Sequence, residues 1–238
     1  MGRKAQETDT TRIPLSRERL IAAAMRLADS EGIEALSMRR LAAELGATPM
    51  ALYNHVSGKD ELLNGISGRL LQEIDLSAID LSDWAASLKT GYADFRRVML
   101  AHPNLLPVLQ RKSEVSTEAM KPIELAMTLL RSAGFTPEEA LHAHWTLSGF
   151  TMGHVLWQIT TPLLDESDQG LRAGALQHHR MLPADQFPCL HEVLPSLEEC
   201  DMDAAWEFGI DSIIEGFKAK LALGSPAVAS EARAGPQG

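Results

Sequence analysis

The stretch of sequence that decides the fold lies at residues 37–56 and reads SMRRLAAELGATPMALYNHV. Ser37 is a favourable N-cap for a short helix, and Gly46 closes that helix because glycine takes the positive φ of a tight turn without strain. Thr48 then caps a second short helix, with Pro49 at the first helical position, where the missing N–H is harmless. The apolar residues of the first helix recur at helical spacing, and they are Met38, Leu41, Ala42 and Leu45. The pattern therefore predicts two short amphipathic helices joined by a turn.

The second of these helices divides into an inner and an outer face. We expect Leu52 and Val56 to face the protein interior, and Met50, Tyr53 and Asn54 to face outward. A short exposed helix braced by its neighbour is typical of the helix-turn-helix, because the second helix enters a DNA major groove about 12 Å wide. A plain helical hairpin has the same pattern, so the spacing by itself leaves both interpretations open.

Helical periodicity extends outward from this stretch in both directions, with no convincing strand alternation. A helix begins at the N-cap Ser16 and ends at Gly32, and Ser57 with Asp60 forms a capping-box pattern before a further helix. Longer helices are expected at about 83–101, 104–111, 117–133, 137–160 and 202–222. The proline-containing stretch 161–201 is expected to be mostly loop with one or two short helices.

The predicted fold class is all-α, with an N-terminal three-helix helix-turn-helix DNA-binding domain and a larger helical domain. The ligand-binding and dimerisation roles of the larger domain are those that the family resemblance described below implies. The chain is expected to divide into a disordered arm at 1–13, the helix-turn-helix domain at 14–60, the helical effector-binding and dimerisation domain at 61–222, and a disordered tail at 223–238.

Charge is divided unevenly along the chain. Residues 1–60 contain 9 Lys or Arg and 8 Asp or Glu, whereas residues 61–238 contain 13 and 24, and the whole chain has a formal charge of −10. Like-charge repulsion keeps the acidic downstream part off phosphates and turns the near-neutral N-terminal part toward them. This division is compatible with DNA binding although the net charge is negative.

Several classes of protein are disfavoured by the sequence. Cys189 and Cys200 form no disulfide framework and no secretory signal opens the chain, which predicts a cytoplasmic protein. Residues 140–164 carry no charged side chain, but their histidines and hydroxyl groups predict a buried helix rather than a membrane span. We find no nucleophile motif, phosphate loop or metal-spaced cluster of side chains, so we expect no enzymatic activity, no cofactor and no metal.

Residues 16–75, which include EGIEALSMRRLAAELGATPMALYNHVSGKDELL, resemble the DNA-binding domain of the tetracycline-repressor (TetR) family. The matching features are Gly32, Leu36-Ser37, Arg39, Leu41-Ala42, Leu45-Gly46, Leu52-Tyr53, His55-Val56 and Lys59. A weaker resemblance continues through HPNLLPVL, GFTPEEAL and WEFGIDSIIEGF to about residue 221.

The resemblance implies a set of DNA-contacting residues. Arg39 matches a position that contacts a guanine edge, and Lys59 lies near a helix N-terminus, where backbone N–H groups also favour a phosphate. Tyr53 and His55 match positions that contact or orient phosphates, and both side chains are also compatible with packing inside the domain. The full predicted set is Ser37, Arg39, Arg40, Thr48, Met50, Ala51, Tyr53, Asn54, His55 and Lys59.

The leading edge of the recognition helix is apolar. Because Pro49, Met50 and Ala51 have no polar side-chain atoms, we expect thymine-methyl contacts to dominate the readout, with Arg39 and Asn54 supplying polar selection. The basic residues of the N-terminal arm either enter the minor groove or belong to a solubilising tail. Those residues are Arg3, Lys4 and Arg12.

The resemblance also implies a homodimer, in which the helices at 137–160 and 202–222 pack against their symmetry mates. Gly149 and Gly153 lie one turn apart, and small residues at this spacing let another backbone approach closely. The predicted interface residues are Gly149, Gly153, Trp206, Ile210, Ile213 and Phe217. A two-fold dimer requires a roughly palindromic operator in double-stranded DNA.

A small-molecule effector site is implied for the larger domain. The candidate wall residues, each equally compatible with ordinary core packing, are Met99, His102, Leu105, Leu109, Met127, Trp145, Phe150, His154 and Trp157. The tetracycline repressors hold a magnesium–drug chelate through a histidine and a glutamate, whereas Leu109 and Trp157 stand at the aligned positions here. We therefore expect a largely apolar or aromatic effector, with His102, His144 and His154 supplying its few polar contacts.

These observations together predict a ligand-responsive transcriptional regulator, by family default a repressor that leaves its operator when the effector binds. A helical adaptor or an enzyme with a vestigial DNA-binding head is the alternative from another class of protein. Binding to specific DNA separates the regulator from both.

Overall fold

The computed structural model describes residues 14–109, 117–161 and 169–224, and within these ranges all regular secondary structure is helical. The predicted all-α class is confirmed. The predicted N-terminal arm, nearly all of the C-terminal tail and the loop at 162–168 lie outside the described residues. The helices are α1 (Arg17–Glu31), α2 (Met38–Glu44), α3 (Pro49–Tyr53), α4 (Lys59–Gln72), α5 (Trp84–Ala101), α6 (Leu106–Leu109), α7 (Lys121–Ser132), α8 (Pro137–Thr160), α9 (Gln169–Arg180), α10 (Pro188–Glu198) and α11 (Met202–Gly224).

The described chain forms two compact units. The first unit contains residues 14–69 and 104–109, and the second contains the remaining described residues. The first unit thus extends beyond the boundary predicted after residue 60, because the start of α4 packs on α1. A Cβ placed on Gly65 of α4 would lie 2.4 Å from the Cδ1 atom of Ile21 in α1, so a larger residue there would displace the Ile21 side chain.

Side-chain caps define the helices of the first unit. The hydroxyl groups of Ser16, Ser37 and Thr48 accept hydrogen bonds from the first-turn N–H groups of α1, α2 and α3. Gly32 and Gly46 take φ values of +83° and +60° after α1 and α2, which is the left-handed region that favours glycine. The two short helices and their turn therefore form as the sequence predicts.

The cap of α4 differs from the predicted capping box. The backbone N–H and the hydroxyl of Ser57 both donate to a carboxylate oxygen of Glu61, at 2.8 and 3.0 Å. The same carboxylate accepts a 2.8 Å hydrogen bond from the Nε atom of Arg17 in α1. The guanidinium of Arg17 and the N–H of Ser57 hold the pKa of Glu61 below its usual value. Glu61 thus joins the start of α4 to α1 as well as to Ser57.

The second unit is built around α5, α7, α8 and α11, which pack against one another. Thr136 and Glu139 form a capping box at the start of α8, with Pro137 at its first position, as the sequence predicts. The core is filled by large apolar side chains, among them Leu88, Leu129, Leu130, Phe135, Leu147, Trp206, Ile210 and Ile214.

The stretch at 161–201 is more ordered than its prolines suggest. The sequence predicts mostly loop with one or two short helices there, and the two helices α9 and α10 have 12 and 11 residues and pack against each other. Pro188 stands in the first turn of α10, where a proline is tolerated, and Pro195 lies inside that helix. The prolines therefore mark helix positions as well as loops.

Candidate functional site

The recognition helix α3 is anchored by two buried side chains and exposes the rest. Leu52 and Val56 are buried, as predicted. Met50 is 74% exposed and Tyr53 is 50% exposed, and Asn54 is also exposed. The outer face of α3 is therefore open to a partner, and its most prominent side chain is an apolar thioether.

The two neighbouring arginines of α2 are held differently. The Arg40 guanidinium forms ion pairs with Glu44 at 3.3 Å and with Glu31 at 2.5 Å. It is therefore already paired with carboxylates of its own unit. Arg39 is exposed and makes no hydrogen bond or ion pair within the described residues. Its five donors thus remain available to a base edge or a phosphate.

The remaining predicted DNA-contacting residues lie around the same surface. Ser37 and Thr48 are exposed but use their hydroxyl oxygens as caps, and His55 is half-buried. The Nζ atom of Lys59 lies 3.4 Å from the carbonyl oxygen of Ile33. A phosphate contact by Lys59 would therefore exchange a weak backbone hydrogen bond for a charge-assisted one.

A cavity lies within the second unit. Its volume is about 140 Å³, and it is partly open to solvent. Its described lining residues carry no formal charge. They are Leu71, Ile74, Leu76, Ile79, Ser87, Leu88, Gly91, Tyr92, Phe95, Pro122, Ile123, Leu125, Ala126, Leu129, His144 and Ser148.

One cluster of polar side chains interrupts this apolar wall. The hydroxyl oxygen of Tyr92 lies 2.7 Å from the Nδ1 atom of His144 and 3.4 Å from the Oγ atom of Ser148. Burial raises the pKa of the Tyr92 phenol to about 12, and burial lowers the pKa of the His144 imidazole. Both groups are therefore uncharged near neutral pH.

None of the nine residues predicted as pocket walls lines this cavity. Leu105 and Leu109 belong to the first unit, whereas Met99 is buried in the second. His102 pairs with Glu73 at 3.0 Å. Met127 packs on the core of the second unit.

The predicted wall residues on α8 lie elsewhere on that helix. The ring of Phe150 packs at Gly209, and both ring nitrogens of His154 are buried without a hydrogen-bond partner in the described structure. Trp145 and Trp157 are 60% and 64% exposed. Of the three histidines suggested as polar contacts, only His144 reaches the cavity.

The sequence did not predict the wall of this cavity, which is formed by Tyr92, Ser148 and apolar side chains of α5 and α7. Leu88, Tyr92 and Phe95 recur at helical spacing on α5, which is a usable signal for an inward face. That signal does not separate side chains that touch other side chains from side chains that border empty space.

The predicted dimer residues fall on two different faces. Gly149 and Gly153 lie on an open part of α8, where an added Cβ would meet no atom of the described chain within 4 Å. In contrast, Trp206 and Ile210 are buried in the core of their own chain, and Ile213 and Phe217 pack against that core. The apolar stripe of α11 therefore stabilises the single chain rather than forming an exposed surface.

Exposed apolar side chains lie on the outer faces of the same two helices. Phe208 of α11 is 78% exposed. Leu141, Trp145, Gly149 and Leu156 follow one stripe along α8 and are exposed. Large exposed aromatic groups of this kind mark interaction surfaces.

Metal sites and membrane spans are absent from the part of the chain that the structure describes. No group of three or more His, Cys, Asp or Glu side chains in the described ranges is arranged to hold a metal ion. No helix within those ranges is long and apolar enough to cross a membrane. Cys189 is exposed and Cys200 is partly buried, and both are free thiols.

Family models match most of the chain. Residues 20–66 match the model for bacterial regulatory proteins of the tetR family, and residues 80–221 match the tetracyclin repressor-like C-terminal domain. The chain is 32% identical over 217 residues to the HTH-type transcriptional repressor DrrR1 of Streptomyces coeruleorubidus, covering 87% of this chain and 79% of that protein. It is 29% identical over 199 residues to the class A tetracycline repressor protein of Escherichia coli, covering 83% of this chain and 88% of that protein.

Solved structures show the same fold. The structure of apo ActR from Streptomyces coelicolor superposes with a TM-score of 0.76 at 32% identity, covering 89% of this chain and 99% of that chain. The complex of ActR with actinorhodin gives a TM-score of 0.75, covering 90% of this chain and 98% of that chain. The similarity therefore extends over both units of the structure.

Proposed function

The chain belongs to the TetR family of bacterial transcriptional regulators, and from this premise we propose that it is a ligand-responsive repressor. In this proposal two copies bind a palindromic operator through α3 and α2, and a small molecule in the cavity of the second unit weakens that binding. The observation that carries the proposal is an exposed recognition helix in one unit combined with an uncharged cavity in the other.

DNA recognition is assigned to the exposed side chains of α2 and α3. Arg39 supplies a free guanidinium, which suits bidentate contact with guanine. Met50 presents an apolar tip that suits the methyl group of thymine. Supporting contacts to phosphates are assigned to the rest of the predicted set, with Arg40 acting mainly to brace α2 through Glu31 and Glu44.

The effector is proposed to be largely apolar, because the described cavity wall carries no charged side chain. ActR has been crystallised with actinorhodin and with (S)-DNPA, and a variant of TetR from Acinetobacter baumannii has been crystallised with minocycline. A magnesium–tetracycline chelate does not fit this chain's described lining, which offers no carboxylate to the metal ion.

Helix α4 supports a route from the cavity to the DNA-binding unit. It begins at Lys59 in the first unit, and Leu71 in its last turn lines the cavity in the second. A ligand that favours one position of this helix would shift the population between operator-binding and released states. The coupling free energy of such shifts is typically ~1–3 kcal/mol.

Homodimerisation is part of the proposal, and the exposed stripe of α8 with Phe208 of α11 is the surface that supports it. Burial of these aromatic groups against a second copy supplies an apolar interface core. We also propose that the protein acts in the cytoplasm, on the chromosome in the nucleoid, and that it catalyses no reaction.

The proposal is tested by fluorescence anisotropy with duplex DNA that flanks the protein's own coding region, titrated at several salt concentrations. We expect saturable binding that weakens with salt. Arg39→Ala is expected to lose ~1–3 kcal/mol of specific binding free energy. Arg40→Ala is the matched control, and it is expected to lose less because its guanidinium is already paired. Binding that is equal for all duplexes, or unchanged in Arg39→Ala, would favour the adaptor or enzyme alternatives.

A further inference from the structure

The polar cluster in the cavity identifies the kind of group that the effector presents, provided that the cavity is the effector site of the proposed function. We propose that the effector is an uncharged molecule whose carbonyl or similar acceptor oxygen binds the Nε2–H group of His144. Tyr92 is the positioning residue, because its hydroxyl fixes the proton of His144 on Nε2.

The absence of charge in the described wall selects an uncharged ligand. Sixteen described residues line the cavity, and none is Asp, Glu, Lys or Arg. Burying an ionised group without a partner costs several kcal/mol, on the order of the whole affinity of a weak ligand. A carboxylate or ammonium group on the ligand is therefore expected to weaken its binding.

Few hydrogen-bonding groups of the wall are free. Ser87 is already satisfied, because its hydroxyl donates to the carbonyl oxygen of Asp80 at 2.7 Å and accepts from the Asp80 N–H at 2.8 Å. The remaining polar side chains are those of Tyr92, His144 and Ser148. Directional recognition of a ligand thus depends on this one cluster.

The distances within the cluster place the hydrogen of Tyr92. Its hydroxyl oxygen lies 2.7 Å from Nδ1 of His144, compared with 3.3 Å from the His144 carbonyl oxygen and 3.4 Å from Oγ of Ser148. A heavy-atom distance of 2.7 Å is typical of an O–H donor and shorter than the usual N–H donor distance. On this distance we assign the Tyr92 hydroxyl as the donor to Nδ1, over the alternative in which Nδ1–H donates to the hydroxyl and the hydroxyl donates to the His144 carbonyl oxygen.

Donation to Nδ1 determines what the imidazole offers to a ligand. A neutral imidazole carries one proton, so acceptance at Nδ1 leaves the hydrogen on Nε2. The Nε2 atom makes no hydrogen bond within the described residues. It is consequently a preoriented donor, and the complementary group on the ligand is an acceptor.

The test is equilibrium dialysis of the full-length protein with three probes of nearly the same shape: fluorene, 9-fluorenone and 9-fluorenone-2-carboxylate. We expect His144→Leu to lower the bound-to-free ratio of 9-fluorenone about fivefold, which corresponds to one neutral hydrogen bond of ~1 kcal/mol. Fluorene has no acceptor and forms no hydrogen bond with His144. Its bound-to-free ratio is therefore expected to change less than about twofold in His144→Leu. The carboxylate is expected to bind at least about tenfold more weakly than 9-fluorenone.

Two further variants locate the binding and test the positioning role. Gly91→Leu is expected to reduce binding of both uncharged probes, because a Cβ on Gly91 would meet only the Cδ1 atom of Ile79, at 3.8 Å, and its larger side chain would fill the cavity. Nitrogen-15 NMR of the histidine ring is expected to show the Nε2–H tautomer of His144 in the wild type. Tyr92→Phe is expected to give a mixture of tautomers, an effect that general loss of packing would not produce.

The outcomes separate this inference from the proposed function. The inference would be overturned if 9-fluorenone did not bind, if its binding were insensitive to His144→Leu, or if 9-fluorenone-2-carboxylate bound as well as 9-fluorenone. None of these results would affect the evidence for DNA binding. His144-dependent binding of 9-fluorenone without any change in DNA affinity would support the inference and contradict the coupling between cavity and operator.

Discussion

The packing of α8 against α11 makes a strong prediction about Gly209. A Cβ added there would lie 2.2 Å from the Cζ atom and 2.6 Å from a Cε atom of Phe150, so the ring would have to move by more than ~1 Å to reach van der Waals contact. Overpacking of this kind costs ~1–3 kcal/mol. Gly209→Ala also gains about 1 kcal/mol in helix propensity. Gly216 in the same helix has open space around its Cβ position, so Gly216→Ala has the gain alone.

The free energy of unfolding of the two alanine variants is therefore expected to differ by ~1–3 kcal/mol, with Gly209→Ala the less stable. Urea denaturation followed by circular dichroism measures this difference, at one protein concentration because dimerisation contributes to stability. In a Phe150→Leu background the cost of Gly209→Ala is expected to fall. Equal stability of the two variants, or a cost unchanged by Phe150→Leu, would refute the packing argument.

Three further predictions concern the dimer, the DNA and pH. Gly149→Ala is expected to weaken dimerisation in sedimentation experiments if the second copy packs there as proposed. Gly174→Ala, whose Cβ position is also open, is expected to leave dimerisation unchanged, and equal dimer affinity of the two variants would remove α8 from the interface. Met50→Ala is expected to lower the affinity for a selected operator about fivefold, because it removes ~1 kcal/mol of apolar contact. Replacing thymine by uracil in that operator removes the methyl group, so it should weaken DNA binding by the wild type more than DNA binding by the variant. Burial lowers the pKa of His144 from 6.5, so the stability from its neutral form is present above pH 6.5 and is lost as the pH falls through the folded-state pKa. The free energy of unfolding should thus decline less steeply with acidification in His144→Gln, and an identical pH profile would contradict the burial of that imidazole.

Much of the fold follows from local signals that need no partner. Ser37, Thr48 and Thr136 cap helices as their residue types predict, and Gly46 takes the positive φ that a tight turn requires. These features depend only on residues within one turn of each other. Local chemistry is sufficient to place them. Glu61, in contrast, combines hydrogen bonds to Ser57 with an ion pair to Arg17 of another helix, which a local pattern does not show.

The candidate sites were harder to predict because buried and functional apolar residues have the same periodicity. On α11, Trp206 belongs to the core while Phe208, two residues away, is exposed, and composition does not distinguish the two roles. On α8, His144 borders the cavity and His154 does not, although both are histidines on one helix. Which side chain borders empty space depends on how α5 and α7 pack beside α8, and this is a property of three helices together.

Selection of binding sequences from a pool of random DNA duplexes tests the central claim most directly, because it requires no knowledge of the operator or the effector. The full-length protein is expected to enrich an inverted repeat, with half-sites about one helical turn or a multiple of it apart. Each half-site is expected to combine a guanine, lost from the consensus in Arg39→Ala, with thymines near Met50. Enrichment of no sequence, or of the same sequence by the wild type and Arg39→Ala, would contradict the assignment of this helix-turn-helix as a specific DNA reader.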